Sequence, residues 1–298
     1  MCERDMFDGA EGARRDWRGA ALTRRDMARL GAVAGAGLLA AGGAAPVLAQ
    51  GAMQEELVTF DAPGGRMDGL FIHPRTGKYP GVVLWPDIAG LRDAKFMMAR
   101  ELAREGYAVL VANPYYRSVE GQQFDDFDAW REGGGFDRVR PWMAQNTPAN
   151  IVETMGAVVA WMDRQASVDT ARGIGMQGYC MTGSWAIRAA AALPDRVKAA
   201  ASFHGGGLVG EAADAPVNLL ASVATDARVL IAIARDDDAQ APGDKDALRA
   251  AAEAAGRQVE IEVYRGNHGW TVPDSPAYDV DEADRAFARL LALYEAAL

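Results

Sequence analysis

Apolar runs of β type alternate with alanine-rich stretches of helical length through most of this 298-residue chain. The first two runs lie close together with a glycine-rich turn between them, which is typical of a hairpin. The later runs are almost continuously apolar and are separated by helices, as in the buried parallel strands of an α/β sheet. The predicted strands are residues 57–60, 70–73, 81–86, 108–112, 173–177, 199–204, 229–234 and 259–264, and the predicted helices are residues 94–106, 151–166, 184–193, 245–255 and 281–297. The pattern predicts a single α/β domain with a mostly parallel central sheet and helices on both faces.

The segment 113–147 follows no clear period and contains Tyr, Trp, Gly and Pro residues. Connections of this length are usually functional loops or small caps, because long structureless loops are uncommon inside compact domains. We therefore expect this segment to lie beside the functional site.

The net charge of the chain bears on whether it binds nucleic acid. The chain carries 31 basic and 41 acidic residues, which gives a formal net charge of −10. An acidic surface argues against nucleic acid as a partner, because phosphate groups are bound by basic surfaces. The Cys and His residues do not have the spacing of a zinc site. The sequence therefore predicts neither a nucleic-acid partner nor a catalytic metal.

The first 49 residues have the pattern of an export signal. The pair Arg24-Arg25 precedes a charge-free run of Gly, Ala, Leu and Val over residues 30–45, and Val47 and Ala49 are small residues suited to a cleavage site. The arginine pair before a weakly apolar run resembles a twin-arginine signal, which directs folded proteins to their export machinery. The sequence predicts a removed signal over residues 1–49, a mature domain over residues 50–298, and a periplasmic or secreted protein.

An uncleaved membrane anchor is the alternative interpretation of the same run. Its sixteen residues would span about 24 Å as a helix, which is less than the roughly 30 Å of a hydrocarbon core. Cleavage is therefore favoured over a stable anchor. Cleavage also removes Cys2 and leaves Cys180 as the one cysteine of the mature chain, which then cannot form an internal disulfide.

Cys180 lies in the strongest local motif of the chain. A predicted strand ends at Gln177, a turn of sequence Gly-Tyr-Cys-Met-Thr-Gly follows at residues 178–183, and an alanine-rich helix comes next. This is the strand–turn–helix context of a nucleophile elbow, with Cys in place of Ser. The helix N-terminus favours a thiolate, and the Met181 N–H falls where an oxyanion donor is needed. A small buried cysteine that only fills a helix–sheet contact is the alternative.

A general base and an acid are expected downstream, in the order nucleophile, acid, histidine. His268 follows the last predicted strand and therefore lies at the carboxyl end of the sheet. The acidic run at residues 236–238 follows the preceding strand. Of its three acids we select Asp238 as the partner of the histidine, with Asp237 as the second choice.

These residues resemble the dienelactone hydrolase family of α/β-hydrolases, and the resemblance covers residues 55–298. Besides the elbow, the acid and the histidine, segments 86–90, 113–117 and 203–208 match the family pattern. The resemblance implies an α/β-hydrolase fold. It also implies hydrolysis of an ester or lactone by a triad of Cys180, His268 and Asp238, without a cofactor.

Further site residues are implied by the same resemblance. Asp87 occupies the place of a carboxylate that contacts the resting thiol, and the Ile88 N–H occupies the place of the second oxyanion donor. Tyr116 and Arg117 occupy the segment that binds substrate, where the arginine holds a substrate carboxylate. Trp270, two residues after the histidine, is a candidate wall of the pocket.

Three positions depart from the family pattern. Asp87 is one methylene shorter than the expected glutamate, Thr182 replaces a glycine of the elbow, and Val272 stands where a second substrate-binding arginine is expected. These departures leave the implied fold and triad in place and put the dienelactone substrate in doubt. With one arginine remaining, we expect only a modest preference for substrates that carry a carboxylate.

The sequence therefore predicts an exported hydrolase of a small ester or lactone that works through a thioester on Cys180. An acyltransferase with the same site would pass the acyl group to an acceptor other than water. A catalytically inactive protein that binds a small ligand in the same pocket is an alternative of a different class.

The arginine pair generates a test of export. Replacing Arg24 and Arg25 together with lysine keeps the charge of the segment but removes the residues that define a twin-arginine signal. We expect the double variant to remain in the cytoplasm as uncleaved precursor, measured by fractionation and immunoblotting beside the wild type. Unimpaired export of the double variant would exclude the twin-arginine route.

Overall fold

The computed structural model of this chain describes residues 53–298. The predicted signal over residues 1–49 and its arginine pair lie outside the described residues. Within residues 53–298, no helix combines the length and the apolar character needed to cross a membrane.

Eight strands of the described range form one sheet, in the order β1-β2-β4-β3-β5-β6-β7-β8. Their bounds are β1 Met53–Ala62, β2 Gly65–Pro74, β3 Gly81–Trp85, β4 Ala108–Ala112, β5 Ile174–Tyr179, β6 Val197–Phe203, β7 Arg228–Ile233 and β8 Gln258–Val263. Strand β2 pairs antiparallel with both β1 and β4, and every other pairing in the sheet is parallel. The predicted hairpin is confirmed, and its strands are longer than predicted because pairing continues to the ends of both.

Nine helices of the described range surround the sheet. They are α1 Asp93–Arg104, α2 Phe127–Glu132, α3 Gly135–Met143, α4 Pro148–Met162, α5 Gly183–Ala192, α6 Pro216–Leu219, α7 Arg235–Gln240, α8 Asp244–Ala255 and α9 Val280–Ala297, with short 3₁₀ turns at Cys180–Thr182 and Leu220–Ser222. All five predicted helices are present, with shifted ends.

Buried apolar side chains form a separate core on each face of the sheet. On one face, Leu102 of α1 and Tyr294 of α9 belong to one cluster. On the other face, Met155 of α4, Ile187 of α5 and Leu248 of α8 belong to a second cluster. The central strands β3, β4 and β5 are buried along their whole length, which explains the continuously apolar sequences of β3 and β4. The predicted single α/β domain with helices on both faces is confirmed.

Helices α2 and α3 lie in the segment for which the sequence shows no period, and we call them the cap (residues 127–143). Asp126 begins α2 by accepting a hydrogen bond from the Ala129 N–H at 2.8 Å. Gly134, in a left-handed conformation with φ 68°, separates the two helices. The sequence did not predict these helices because both are short and Pro141 lies inside the second. Aromatic and apolar side chains of the cap form a third cluster with Ile88, Ala89, Tyr115 and Phe124.

Candidate active site

The predicted nucleophile occupies a strained turn at the carboxyl end of β5. Cys180 has φ 53°, in the left-handed region that non-glycine residues rarely adopt, and only 2% of its surface is exposed. A 3₁₀ turn over Cys180–Thr182 leads directly into α5. Strain of this kind persists only where the surrounding structure holds it, and it occurs mainly at functional sites. The structure thus has the elbow geometry that the sequence predicts.

Glycine residues on both sides of the turn allow the backbone to pack this closely. A Cβ atom on Gly178 would lie 2.0 Å from the Thr182 carbonyl oxygen. A Cβ atom on Gly183 would lie 2.5 Å from the Gly205 Cα, in the loop that follows β6. Helix α5 therefore begins in direct backbone contact with the neighbouring loop.

Thr182 connects the elbow to the end of β3. Its Oγ1 accepts a hydrogen bond from the Tyr179 N–H at 3.0 Å. The same hydroxyl lies 2.9 Å from the Pro86 carbonyl oxygen and 3.0 Å from that of Trp85, so it can donate to either. The threonine in place of a family glycine therefore adds a link between Cys180 and the turn that contains Ile88, a role that the sequence did not reveal.

The imidazole of His268 is oriented by Asp237. Its Nδ1 lies 2.9 and 3.0 Å from the two carboxylate oxygens. Since a carboxylate can only accept, the Nδ1 carries the proton, and Nε2 is the nitrogen that can accept one in the neutral ring. His268 is 3% exposed and follows β8, as predicted.

The selection of Asp238 as the acid is corrected by this geometry. The three acids form the first turn of α7, where successive side chains point about 100° apart. Asp236 accepts the backbone N–H of His268 at 2.8 Å, and Asp237 accepts the ring N–H. Asp238 instead pairs with Lys245 at 2.5 Å. The sequence could not separate the three acids because it predicts no helix over this run, and without a helix the directions of the side chains are undefined.

Asp87 lies in a buried cluster of four charges. Its carboxylate is 2.8 Å from Arg92 Nη1 and 2.8 Å from Lys95 Nζ, and it also accepts the Ala89 N–H at 3.0 Å. Arg92 pairs in addition with Asp274, six residues after the histidine. Both cationic side chains are completely buried. The contact with the resting thiol that the family resemblance implies for Asp87 stays a prediction.

Burial and charge oppose each other in this cluster. Burial alone would raise the pKa of the Asp87 carboxyl, but Arg92 and Lys95 outweigh it and hold that pKa well below its usual range. Burial lowers the pKa of Lys95 to about 8, although Asp87 opposes the shift. Asp87 is therefore a carboxylate at any pH near neutrality.

The two predicted oxyanion donors lie on segments that Tyr115 brings together. The Tyr115 hydroxyl donates to the Ile88 carbonyl oxygen at 2.7 Å and lies 3.5 Å from the Met181 sulfur. Its ring packs against Trp142 of the cap, with the centroids 5.4 Å apart. The site therefore has an apolar side formed by Tyr115, Trp142 and Met181, of which the last two are partly exposed.

The polar groups of Tyr116 and Arg117, for which the family resemblance implies substrate-binding roles, are bound to other parts of the fold. The Tyr116 hydroxyl contacts the Pro63 carbonyl oxygen at 2.6 Å and Thr154 Oγ1 at 2.8 Å. Arg117 donates to the Asn150 carbonyl oxygen and to Thr154, both in α4, and its side chain is only 10% exposed. The Tyr116 hydroxyl thus joins the β1–β2 turn to α4, and the Arg117 guanidinium is bound to α4. The residue of this segment that contacts the turn around Ile88 is Tyr115, which the sequence did not select.

Trp270, the candidate wall of the pocket, is completely buried. It stacks on Tyr264 and touches the ring of His204 edge-on. His204, which had no role in the sequence interpretation, has φ 40° and lies 4.8 Å from His268 between ring centroids. Burial, and then the neighbouring His268, lower the pKa of His204 well below its usual value, so its ring is neutral near pH 7. Trp270 and His204 thus form a wall behind the imidazole.

Among residues 53–298, no group of three or more Cys, His, Asp or Glu side chains is arranged to hold a metal ion. The acidic run is accounted for by its bonds to His268 and Lys245.

Comparison with known proteins identifies relatives of this chain. A model of the dienelactone hydrolase family matches residues 67–298. A provisionally named carboxymethylenebutenolidase of Salmonella typhi is 24% identical over 246 residues, which cover 81% of this chain and 87% of that protein. One of Synechocystis sp. is 28% identical over 153 residues, so the match spans 51% of this chain and 59% of that protein.

The fold has close counterparts among solved structures. A provisionally named dienelactone hydrolase from Klebsiella pneumoniae subsp. pneumoniae superimposes with a TM-score of 0.70 and 23% identity. The superposition covers 82% of this chain and 99% of that chain. At this level of identity the likeness concerns the fold.

Two matched variants test which of the acids acts on His268. We expect Asp237→Asn to lower kcat on an activated ester by at least about 100-fold, because the amide no longer fixes the imidazole tautomer. Asp238→Asn removes only a partly exposed pair with Lys245 and should change kcat less than about 3-fold. Steady-state kinetics of both variants decides between them, and the reverse ranking would restore Asp238 as the acid.

A second pair of variants tests whether Arg117 stabilises the fold or binds substrate. Arg117→Ala should lower the free energy of unfolding by about 1–2 kcal/mol, since the bonds to α4 are lost, and should leave KM unchanged for both neutral and carboxylated esters. Arg66→Ala removes an exposed bond on the same hairpin and should change stability by less than about 0.5 kcal/mol. Urea unfolding measures both variants. A rise in KM confined to carboxylated substrates would return Arg117 to the substrate site.

Proposed function

This chain belongs to the dienelactone hydrolase family, and we propose that it hydrolyses a small ester or lactone with Cys180 as the nucleophile. The observation that carries the proposal is the strained Cys180 at the end of β5, on the same edge of the sheet as the His268–Asp237 pair. The curated relatives are named for a hydrolytic activity, which agrees with this assignment.

The proposed reaction has two steps. His268 Nε2 takes the thiol proton, and the thiolate attacks the carbonyl carbon, so that a C–S bond forms. The Ile88 and Met181 N–H groups stabilise the oxyanion until the C–O bond to the leaving group breaks, and His268 returns the proton to that oxygen. A water molecule, deprotonated by His268, then cleaves the thioester and releases the acid with the thiol restored.

Asp237 and Asp87 have different tasks in this proposal. Asp237 keeps the Nδ1 proton in place and stabilises the imidazolium that forms in each step. Asp87 does not accept the thiol proton, because Arg92 and Lys95 hold its pKa far below that of a thiol. It instead accepts the Ala89 N–H and so holds the turn around Ile88.

The substrate proposed for this chain is neutral. Arg117 is engaged with α4, and a buried Val272 stands where the family has its second arginine. The partly exposed side chains near the proposed oxyanion donors are those of Met181 and Trp142, which suit an apolar acyl group or leaving group. The modest carboxylate preference expected from the sequence is therefore replaced by a preference for neutral esters.

We also propose that the protein acts in the periplasm or outside the cell after removal of residues 1–49. The arginine pair and the apolar run that follows it support this proposal. The lysine double variant described above tests it.

Variants of the nucleophile test the hydrolase proposal. Cys180→Ala and His268→Ala should each lower kcat on p-nitrophenyl acetate by at least about 10³-fold without unfolding the protein, and the double variant should lose little more. Intact-mass spectrometry of the rapidly quenched wild type should show one acetyl group on Cys180. Turnover that persists in Cys180→Ala would exclude the thioester route. Formation of methyl ester in place of acid when methanol is added would identify a transferase.

A further inference from the structure

The guanidinium of Arg92 is saturated with hydrogen bonds. Its Nε and Nη2 donate to the two oxygens of Asp274 at 2.7 and 3.0 Å, and its Nη1 and Nη2 donate to the two oxygens of Asp87 at 2.8 and 2.9 Å. The second Nη1 hydrogen reaches the Gly90 carbonyl oxygen at 3.2 Å. A guanidinium has five N–H donors, so every one of them is used. The side chain is completely buried, and its position is fixed in all directions.

These bonds join three segments around the proposed site. The first is the turn at residues 87–90, where Asp87 also accepts the Ala89 N–H and the Gly90 N–H donates to the Asp87 carbonyl oxygen. Ile88, with its proposed oxyanion donor, lies inside this turn. The second segment is the loop after β8, which contains His268 and Asp274. The third is the cap, because Asp274 Oδ2 also accepts the N–H of Phe127, the first residue of α2.

We propose that Arg92 is a positioning residue that sets the Ile88 N–H for the oxyanion and keeps it aligned with the histidine loop and the cap. This inference rests on the function proposed above. An oxyanion donor stabilises the transition state only when it lies about 2.7–3.1 Å from the developing charge, so a small displacement of the turn lowers kcat. Arg92 fixes the turn from outside the site, through Asp87 and Gly90, without contacting the reacting atoms.

The geometry of the guanidinium, and not only its charge, carries this role. A lysine in its place would retain the positive charge between Asp87 and Asp274 but could not make two bidentate pairs. The cluster of Asp87, Arg92, Lys95 and Asp274 is formally neutral, and Arg92→Lys leaves it neutral. The electrostatic field at the thiol is therefore nearly unchanged, while the turn loses its anchor.

Arg92→Lys separates the two effects in the full-length protein. We expect kcat on p-nitrophenyl acetate to fall at least about 10-fold with KM changed less than about 3-fold, because the lost interaction acts in the transition state. The alkylation rate of Cys180 by iodoacetamide needs the thiolate but no oxyanion donor, and we expect it within 2-fold of the wild type. The matched control is Arg196→Lys, which breaks the bidentate pair with Asp163 and should leave both rates unchanged.

Asp274→Asn is the second variant, since it weakens the same guanidinium from the side of the histidine loop. Asp274→Asn should also lower kcat, but by a smaller factor than Arg92→Lys does. It replaces Arg92→Lys as the test if that variant does not fold. A kcat within 2-fold of the wild type in the folded variant, or equal losses of kcat and alkylation rate, would overturn the positioning role. A wild type without Cys180-dependent turnover would instead overturn the proposed function, so the two failures are distinct.

Discussion

The contact between the backbones of Gly183 and Gly205 is the constraint on which the site depends. No side chain fits between the start of α5 and the loop after β6, since a Cβ atom on Gly183 would lie 2.5 Å from the opposing Cα. This contact keeps α5 close enough to the sheet for Cys180 to be held at φ 53°. A left-handed non-glycine residue costs about 1–3 kcal/mol, which the packing around it must offset. The buried start of α5 provides that packing.

Around this elbow, polar atoms of neighbouring strands are bound to one another instead of to solvent. Thr182 reaches the end of β3, and Asp236 and Asp237 after β7 hold the backbone and ring of His268 after β8. Because the parallel strands end at one edge of the sheet, each of these bonds spans only a neighbouring loop. The loops that carry the proposed site are therefore bound to one another along this edge of the sheet.

The four buried charges beside the elbow contribute to the geometry of the site more than to the stability of the fold. Removing an ion from water is costly, and pairing often no more than compensates the cost, so a cluster of this kind adds little net stability. Its effect is geometric, because the fork of Arg92 admits only one arrangement of Asp87 and Asp274. The depressed pKa of Asp87 is a consequence of the same enclosure.

The sequence predicted features that depend on neighbours along the chain. Strand periodicity, the elbow around Cys180 and the position of His268 after the last strand were all accessible in this way. The sequence did not show in which direction each side chain of the short helix α7 points, and this direction determines whether Asp237 or Asp238 contacts the histidine. Nor could a pattern show that Tyr115 and not Tyr116 faces Ile88, since consecutive residues after a strand point to different sides. The pair of Arg92 and Asp274 joins residues 182 positions apart, a separation that local patterns do not reach.

The short stretch of chain between β7 and the aspartates of α7 restricts how this part of the sequence can change in length. Asp236 binds the backbone of His268 and Asp237 binds its ring. Only Ala234 separates the end of β7 from the start of α7. An insertion or deletion at this junction has no loop to absorb it, so it would shift β7 against its neighbours or turn α7 by about 100° per residue. The position of the two carboxylates over the histidine loop therefore depends on the length of the β7–α7 junction.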